Sequence, residues 1–396
     1  MRILFAGQTY APSTNGPAVF TTNLAEALAA CGHHAAVIVP STDGRPHCET
    51  RAGVTLHALP AFVWRRTGVA VTAFPGGDID RILERFRPDV VHIQDHYPTS
   101  RAVLRGGRRR HLPVVGTNHF IPGNIALQLP LPPPARGAAE SVLWWTVSSV
   151  FRRLDAVTAP SETAAALLRR HLPRREVTAI SCGVDVTRFS PRAAAERREL
   201  RRRFALPDAD AVALYVGRLD RDKNLELLVR AMALTAQPEL LVVAGKGLQE
   251  EALKRLARRL GVGSRVRFSG YVDDDTLPAL YAACDLFAMP SVVELLSIAT
   301  LEAMATGLPV AAARAGALPE LVSDGVNGEL FDPADAAAAA SVLRSLADRR
   351  ASWPRFASAA RERAEGHRLE RTRERFEALY RQVAASRPSM LRAGGG

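Results

Sequence analysis

At 396 residues the chain is too long for one typical core and is of ordinary size for two domains. With 47% hydrophobic and 23% charged residues it is globular rather than disordered, and no apolar run reaches the ~20 residues that cross a bilayer. The formal charge of +12 rests almost wholly on arginine; it fits a biased genomic composition as well as an anionic partner, and with no basic-aromatic array or nucleic-acid module beside it, nucleic acid is not expected. Cys31, Cys48, Cys182 and Cys284 have no metal-ligand spacing, and the start MRILFAG has neither a basic n-region nor a cleavage site. A cytoplasmic chain with free thiols is the expectation.

In chain order, Arg2 to Gly7 reads as a buried parallel strand, Gln8 to Pro17 as a turn-rich connection, and Ala18 to about Cys31 as a helix. Gly16 stands just before that helix. It is either a turn glycine or a place where a phosphate or sugar approaches the backbone. Strands are expected at Ala36–Val39, Thr55–Ala58, Asp89–Gln94, Val114–Asn118 and Ala156–Ala159, mostly with helices between them. Two places that follow strand ends, Gln94-Asp95-His96-Tyr97 and Asn118-His119-Phe120, are therefore site candidates. His92, inside a strand, is assigned to packing. The arginines of Arg101–His111 are either a solvated helix end or a patch for anionic lipid head groups, and Trp64-Arg65-Arg66 is a second basic aromatic spot. Pro122–Pro134 is a proline-rich apolar loop, a lid or a membrane-contacting segment; of Trp144 and Trp145 on the next helix at least one belongs in the core.

The string Cys182 to Pro191, CGVDVTRFSP, closes the first half. Beyond it the pattern restarts with strands at Ala211–Gly217, Leu240–Gly245 and Arg265–Gly270. Arg218 and Lys223 follow the first of these, where a guanidinium and an ammonium can neutralise a diphosphate or simply balance Asp220 and Asp222. Gly245-Lys246-Gly247 is weak evidence alone, and the Walker pattern is absent. The stretch Leu286–Pro309 reads as strand, loop, helix: Glu294 lies in the loop, Glu302 in the helix, and the amides near Ser297 to Ala299 suit an anion. Two carboxylates beside an anion site make sense for a phosphate-bearing ligand that also donates hydroxyl hydrogens. The remainder is helical, with a frayed tail at Arg387–Gly396.

Glu294-x7-Glu302 with Ala-Met-Ala-x-Gly-x-Pro, Gly217-Arg218-x4-Lys223, Gly116-Thr117-x-His119, CGVDVTRF, Gly316 to Glu320 and Asp324 to Gly328 together resemble the signature of retaining glycosyltransferases of family 4, the glycosyl transferases group 1. The resemblance runs from residue 1 to about 335. It implies the GT-B architecture, two Rossmann-like doubly wound α/β parallel-sheet domains facing across a cleft. The expected division is 1–188 for the acceptor domain and 189–368 for the nucleotide-sugar domain, with a last helix at about 369–386 returning to the first.

On the same resemblance Arg218 and Lys223 bind the diphosphate, Glu294 the donor sugar's hydroxyls and Glu302 the ribose, and His119 reaches the donor sugar. Gly16, Gly217, Gly245, Tyr271, Val272, Leu296, Ser297 and Ile298 line the donor, and Asp95, His96 and Asn118 lie on the acceptor side. No metal and no cofactor are implied beyond a nucleoside diphosphate sugar, UDP-linked by preference and GDP-linked as the alternative. The acceptor hydroxyl belongs to a membrane lipid or a small sugar or aminocyclitol, with peripheral contact to an anionic membrane in the first case. Asn15 stands where relatives carry another glycine, Lys246 where many carry an acid, and Ser297 at a glycine position. A nucleotide-sugar epimerase and a non-catalytic sugar- or lipid-binding protein are the rivals. An NAD dehydrogenase would want G-x-G-x-x-G, which residues 5 to 20 lack.

Overall fold

The computed structural model describes residues 1–64, 69–73, 75–123, 132–208 and 211–386. Arg65 and Arg66, most of the proline-rich loop and the 387–396 tail lie outside them. The chain forms two compact units, 1–181 with the chain from Leu369 onward, and Cys182–Arg368.

In the first unit, short apolar runs become the mostly buried strands β1 (Arg2–Ala6), β2 (His34–Pro40), β7 (Val90–Ile93), β8 (Val114–Thr117) and β9 (Ala156–Ala159), joined by the less fully buried β4 (Val54–Leu59) and β10 (Thr178–Ala179). Their order is β10-β9-β8-β7-β1-β2-β4-β3, parallel except that β3 (His47–Arg51) runs antiparallel to β4. An unexpected hairpin, β5 (Ala61–Trp64) and β6 (Val69–Thr72), stands apart from this sheet. The strand order reverses between β1 and β7, so the loops after these two strands flank the position where open α/β sheets take ligands.

Helices α1 (Gly16–Ala30), α2 (Gly76–Phe86), α3 (Pro98–Arg109), α4 (Pro133–Phe151) and α5 (Glu162–His171) connect the strands. The arginines of α3 are largely committed. Arg109 and Arg110 pair with Asp80 and Glu84, Arg101 donates to the carbonyls of His96 and Thr146, and Arg108 donates to that of Arg153. Trp144 is buried and stacks on His171 with ring centroids 3.8 Å apart, whereas Trp145 is 66% exposed.

In the second unit, α6 (Ala194–Arg203) precedes a fully parallel sheet of order β13-β12-β11-β14-β15-β16. These strands are β11 (Val212–Val216), β12 (Leu240–Ala244), β13 (Val266–Gly270), β14 (Leu286–Met289), β15 (Val310–Ala313) and β16 (Gly328–Phe331). Here the order reverses between β11 and β14, which pair directly. The helices are α7 (Leu225–Leu234), α8 (Glu250–Arg259), α9 (Leu277–Ala283), α10 (Ile298–Ala305), α11 (Leu318–Leu321), α12 (Ala336–Asp348) and α13 (Trp353–Glu365).

The last helix, α14 (Leu369–Ala385), belongs to the first unit. Its Phe376 packs on Phe20 and on His92, and the Tyr380 hydroxyl meets His92 Nδ1 at 2.7 Å. His92 Nε2 meets Thr117 Oγ1 at 2.7 Å, so this fully buried ring is hydrogen-bonded on both sides, and burial keeps it neutral with its pKa pushed down to about 3. His92 is thus a packing residue that also joins helix to sheet.

Candidate active site

Because β11 and β14 flank the reversal of the second sheet, the loops at their carboxyl ends meet there. The first carries Gly217, Arg218 and Lys223, the second Glu294. Tyr215, fully buried in β11, donates its hydroxyl to the Arg218 carbonyl at 2.8 Å and so fixes the backbone at the arginine. Gly245 has φ +142°, and a Cβ there would lie 1.9 Å from the Gly217 carbonyl oxygen; only glycine lets these two loops close on each other.

Arg218 pairs with Asp220 and, at 3.2 Å, with Asp222. Lys223 Nζ sits 2.6 Å from Glu294 Oε1 and 3.8 Å from Asp222 Oδ2. The charge-balancing reading of the two cations is therefore seen directly. They balance acids in the ligand-free chain, yet Arg218 remains 44% exposed at the sheet's carboxyl edge. Gly316, with φ +54°, lies against the Glu294 backbone, and the Ala317 amide donates to the Glu294 carbonyl at 2.9 Å. The Gly316 segment thus seats Glu294, a role the sequence pattern does not reveal.

Helix α10 starts beyond this loop. Ser297, at the departure from the glycine pattern, is its N-cap: Oγ accepts from the Thr300 amide at 3.3 Å and from Thr300 Oγ1 at 2.8 Å. Its φ of −87° needs no glycine, and its hydroxyl is turned into the helix. The amides of Ile298 and Ala299 belong to the first turn, where a helix has no partners of its own to offer. Leu296 is buried beside them.

Glu302 accepts from the buried Tyr281 hydroxyl at 2.9 Å. Burial raises its carboxyl from the ordinary 4.5 to about 7, against the opposing pull of the Tyr281 hydrogen bond. A pKa raised on folding adds stability that is present below about 4.5 and lost as pH rises through about 7. A ligand whose hydroxyls donate to Glu302 favours the carboxylate, so the binding of such a ligand should tighten as pH rises through this range and release a proton near neutrality. Calorimetry in buffers of different ionisation heat checks this, with Glu302→Gln expected to remove the release; equal heats in all buffers would dismiss it.

Lys246 is exposed between Gly245 and Gly247, and its carbonyl accepts from the Leu219 amide at 3.0 Å. Tyr271 is 49% exposed at the end of β13, with Val272 half-buried beside it.

In the first unit, α1 begins at Gly16 with Asn15 as N-cap, its Oδ1 accepting from the Ala18 amide at 3.0 Å. Asn15 thus has a capping reason to replace glycine. A Cβ on Gly16 would meet nothing within 4 Å, so neither strain nor packing within the protein requires that glycine.

Asp95 ties the loop after β7 to the loop after β1, accepting from the amides of Tyr97 at 2.9 Å and Gln8 at 2.6 Å, and burial raises its pKa. Asn118 closes a small ring with both backbone groups of Phe120. His96 stacks on Tyr97, and burial, aided by Arg101, lowers its pKa to about 4. Its buried Nδ1 meets no partner among the described residues.

His119 Nε2 lies 3.0 Å from Gln94 Oε1, which assigns the ring proton to Nε2 and leaves Nδ1 an acceptor. Desolvation lowers its pKa to about 3, so it is neutral at neutral pH. Gln94 opens the candidate segment Gln94-Asp95-His96-Tyr97, and its buried Nε2 has no partner among the described residues.

Two doubly wound units, each built on a mostly parallel sheet, with cations and carboxylates at the carboxyl edge of the second, have the elements of the GT-B fold. Comparison with known proteins makes this specific. A model of "Glycosyl transferases group 1" matches residues 196–363 and one of "Glycosyltransferase Family 4" matches residues 14–188. The chain is 34% identical over 379 residues to a D-inositol 3-phosphate glycosyltransferase of Streptomyces avermitilis, covering 88% of this chain and 79% of the relative. It is 29% identical over 367 residues to a GDP-mannose-dependent alpha-mannosyltransferase of Mycolicibacterium smegmatis, covering 91% and 92%. The sucrose-phosphate synthase of Thermosynechococcus elongatus shares the fold, with TM-score 0.80 at 23% identity over 98% of this chain and 100% of that one. The chain belongs to the family 4 glycosyltransferases, the glycosyl transferases group 1.

Proposed function

We propose that this glycosyltransferase moves a hexosyl group from a nucleoside diphosphate sugar to an acceptor hydroxyl with retention of anomeric configuration. The observation that carries it is the meeting of Arg218, Lys223 and Glu294 where the second sheet reverses. In this reading the anomeric carbon–oxygen bond to the diphosphate breaks as the acceptor oxygen bonds to the same carbon. The leaving phosphate takes the acceptor's proton. Arg218, Lys223 and the amides of Ile298 and Ala299 stabilise the charge that grows on the diphosphate, with no metal needed. Glu294 receives the sugar's hydroxyls and Glu302 those of the ribose. His119, neutral, accepts a hydrogen bond from a substrate hydroxyl at Nδ1.

GDP-mannose, the donor in the names of two relatives, stands first, ahead of the UDP-sugar that the sequence favoured. For the acceptor, a soluble polyol derivative has the support of relatives named for D-inositol 3-phosphate. The test is the anomeric coupling of the product by NMR together with its donor dependence. Retention supports the reading, and an inverted product removes it.

A membrane acceptor has a different observation behind it. Val142 and Trp145, one turn apart on α4, are 60% and 66% exposed, and on the hairpin Phe62 and its cross-strand partner Val71 are 71% and 42% exposed. On a chain of charge +12, such surfaces suit an anionic bilayer better than a neutral one. No described helix is long and apolar enough to cross a membrane, so contact would be peripheral. Co-sedimentation with anionic vesicles should fall several-fold for Trp145→Ser. Absence of pelleting at low salt, or a variant that pellets like wild type, dismisses the membrane reading.

A further inference from the structure

We infer that Asp222 is a positioning residue for transfer, holding Arg218 and Lys223 in the geometry the departing diphosphate requires at the expense of ground-state affinity. The inference rests on the donor-site reading above. Asp222 is buried, its side chain 1% exposed. One carboxylate oxygen lies 3.2 Å from Arg218 Nη2 and 3.8 Å from Lys223 Nζ, while the other, Oδ1, is buried with no hydrogen-bond partner among the described residues. Its carbonyl accepts from Ser291 Oγ at 3.2 Å and from the Val292 amide at 3.3 Å. Asp222 therefore ties the segment carrying both cations to the loop carrying Glu294.

A half-satisfied buried carboxylate is a poor stabilising device, since its desolvation is only partly offset. What it does to binding is electrostatic. Asp220, Asp222 and Glu294 face Arg218 and Lys223, so the ligand-free cluster carries more negative than positive charge. An incoming diphosphate must compete with these acids. Glu294, at 2.6 Å from Lys223, is the one that can exchange its cation for sugar hydroxyls. Asp222, buried and anchored through its own backbone, stays. Its charge opposes the diphosphate throughout, so its contribution to transfer is geometric: it keeps both cations aimed at the leaving oxygen, where charge grows only during bond cleavage.

The test is Asp222→Asn, which conserves shape, with Asp222→Glu as a charge-conserving second variant. Nucleoside diphosphate binding by calorimetry and turnover of the donor are measured on the full chain. For Asp222→Asn the expected result is kcat lowered about tenfold or more while Kd for the nucleoside diphosphate stays equal or tightens, the pattern of lost transition-state geometry with relieved ground-state repulsion. Asp222→Glu should retain more of kcat than Asp222→Asn. A merely structural role would weaken binding and turnover together with Tm, and that outcome overturns the inference, as does a variant indistinguishable from wild type. Wild-type protein that binds no nucleoside diphosphate overturns the donor-site reading and this inference with it.

Discussion

Replacing Arg218 by alanine is expected to lower kcat/KM by about 10²–10³-fold, mostly through kcat, the range seen when one preorganised donor to a developing charge is removed. The side chain is 44% exposed and its partners Asp220 and Asp222 lie on the same loop. Asp222 is buried, however, and loss of the arginine leaves its carboxylate with only Lys223 at 3.8 Å, so folding should weaken by more than the ~1 kcal/mol of an exposed ion pair. Lys223→Ala should cost similar activity and likewise stability, because it leaves the buried Glu294 carboxylate without the ammonium 2.6 Å away. If the two act on one diphosphate, the double variant will fall short of the product of the single effects. Steady-state kinetics beside thermal unfolding decides this. An Arg218→Ala protein with wild-type kcat would leave the arginine a surface cation balancing two acids.

The second large effect is expected at Gly316. An alanine Cβ there would stand 2.6 Å from the Glu294 carbonyl oxygen and 2.8 Å from its amide nitrogen, on a backbone at φ +54°. Neither neighbour is a side-chain tip that can swing aside, so the Glu294 loop must move. Gly316→Ala should cost roughly 1–3 kcal/mol of stability from strain and, through a displaced Glu294, on the order of 10²-fold in kcat. Gly325→Ala is the control. Its φ of +72° imposes comparable backbone strain, but its Cβ would meet nothing within 4 Å. Loss of stability in both variants with loss of activity only at Gly316 assigns the effect to the Glu294 contact; equal loss of activity in both would refute it.

Strands buried on both faces were legible because continuous apolar runs such as ILFA and VVHI leave little alternative between turn signals. Elements the pattern missed lack that signal. His47–Arg51 is polar and exposed along its whole length, and its place comes from antiparallel pairing with β4. Val310–Ala313 is alanine-rich and becomes a strand through burial between β14 and β16.

At the site, Arg218, Lys223 and the two glutamates could be singled out because unusual residue types followed strand ends in a family spacing. Asp220 and Asp222 were legible as local balancing acids, but the contact of Lys223 with Glu294 was not, since the two are 71 positions apart and meet only through the pairing of β11 with β14. Ser297 illustrates the opposite case. The sequence marks it as a departure near the diphosphate, and local geometry gives a plainer reason, a helix cap. The arginine cluster of α3 likewise looked like free charge until Asp80 and Glu84, from α2, were found against it.

The central claim, that this chain transfers sugar from a nucleoside diphosphate donor held at Arg218, Lys223 and Glu294, is tested most directly by nucleotide release. Labelled GDP-, UDP- and ADP-hexoses are incubated with wild-type protein and with Arg218→Ala, each with and without candidate acceptor polyols and lipids. The expected result is that one donor class releases its nucleoside diphosphate, that acceptor accelerates the release, and that Arg218→Ala reduces it by the margin given above. No binding and no release from any donor, or release untouched by Arg218→Ala, would contradict it.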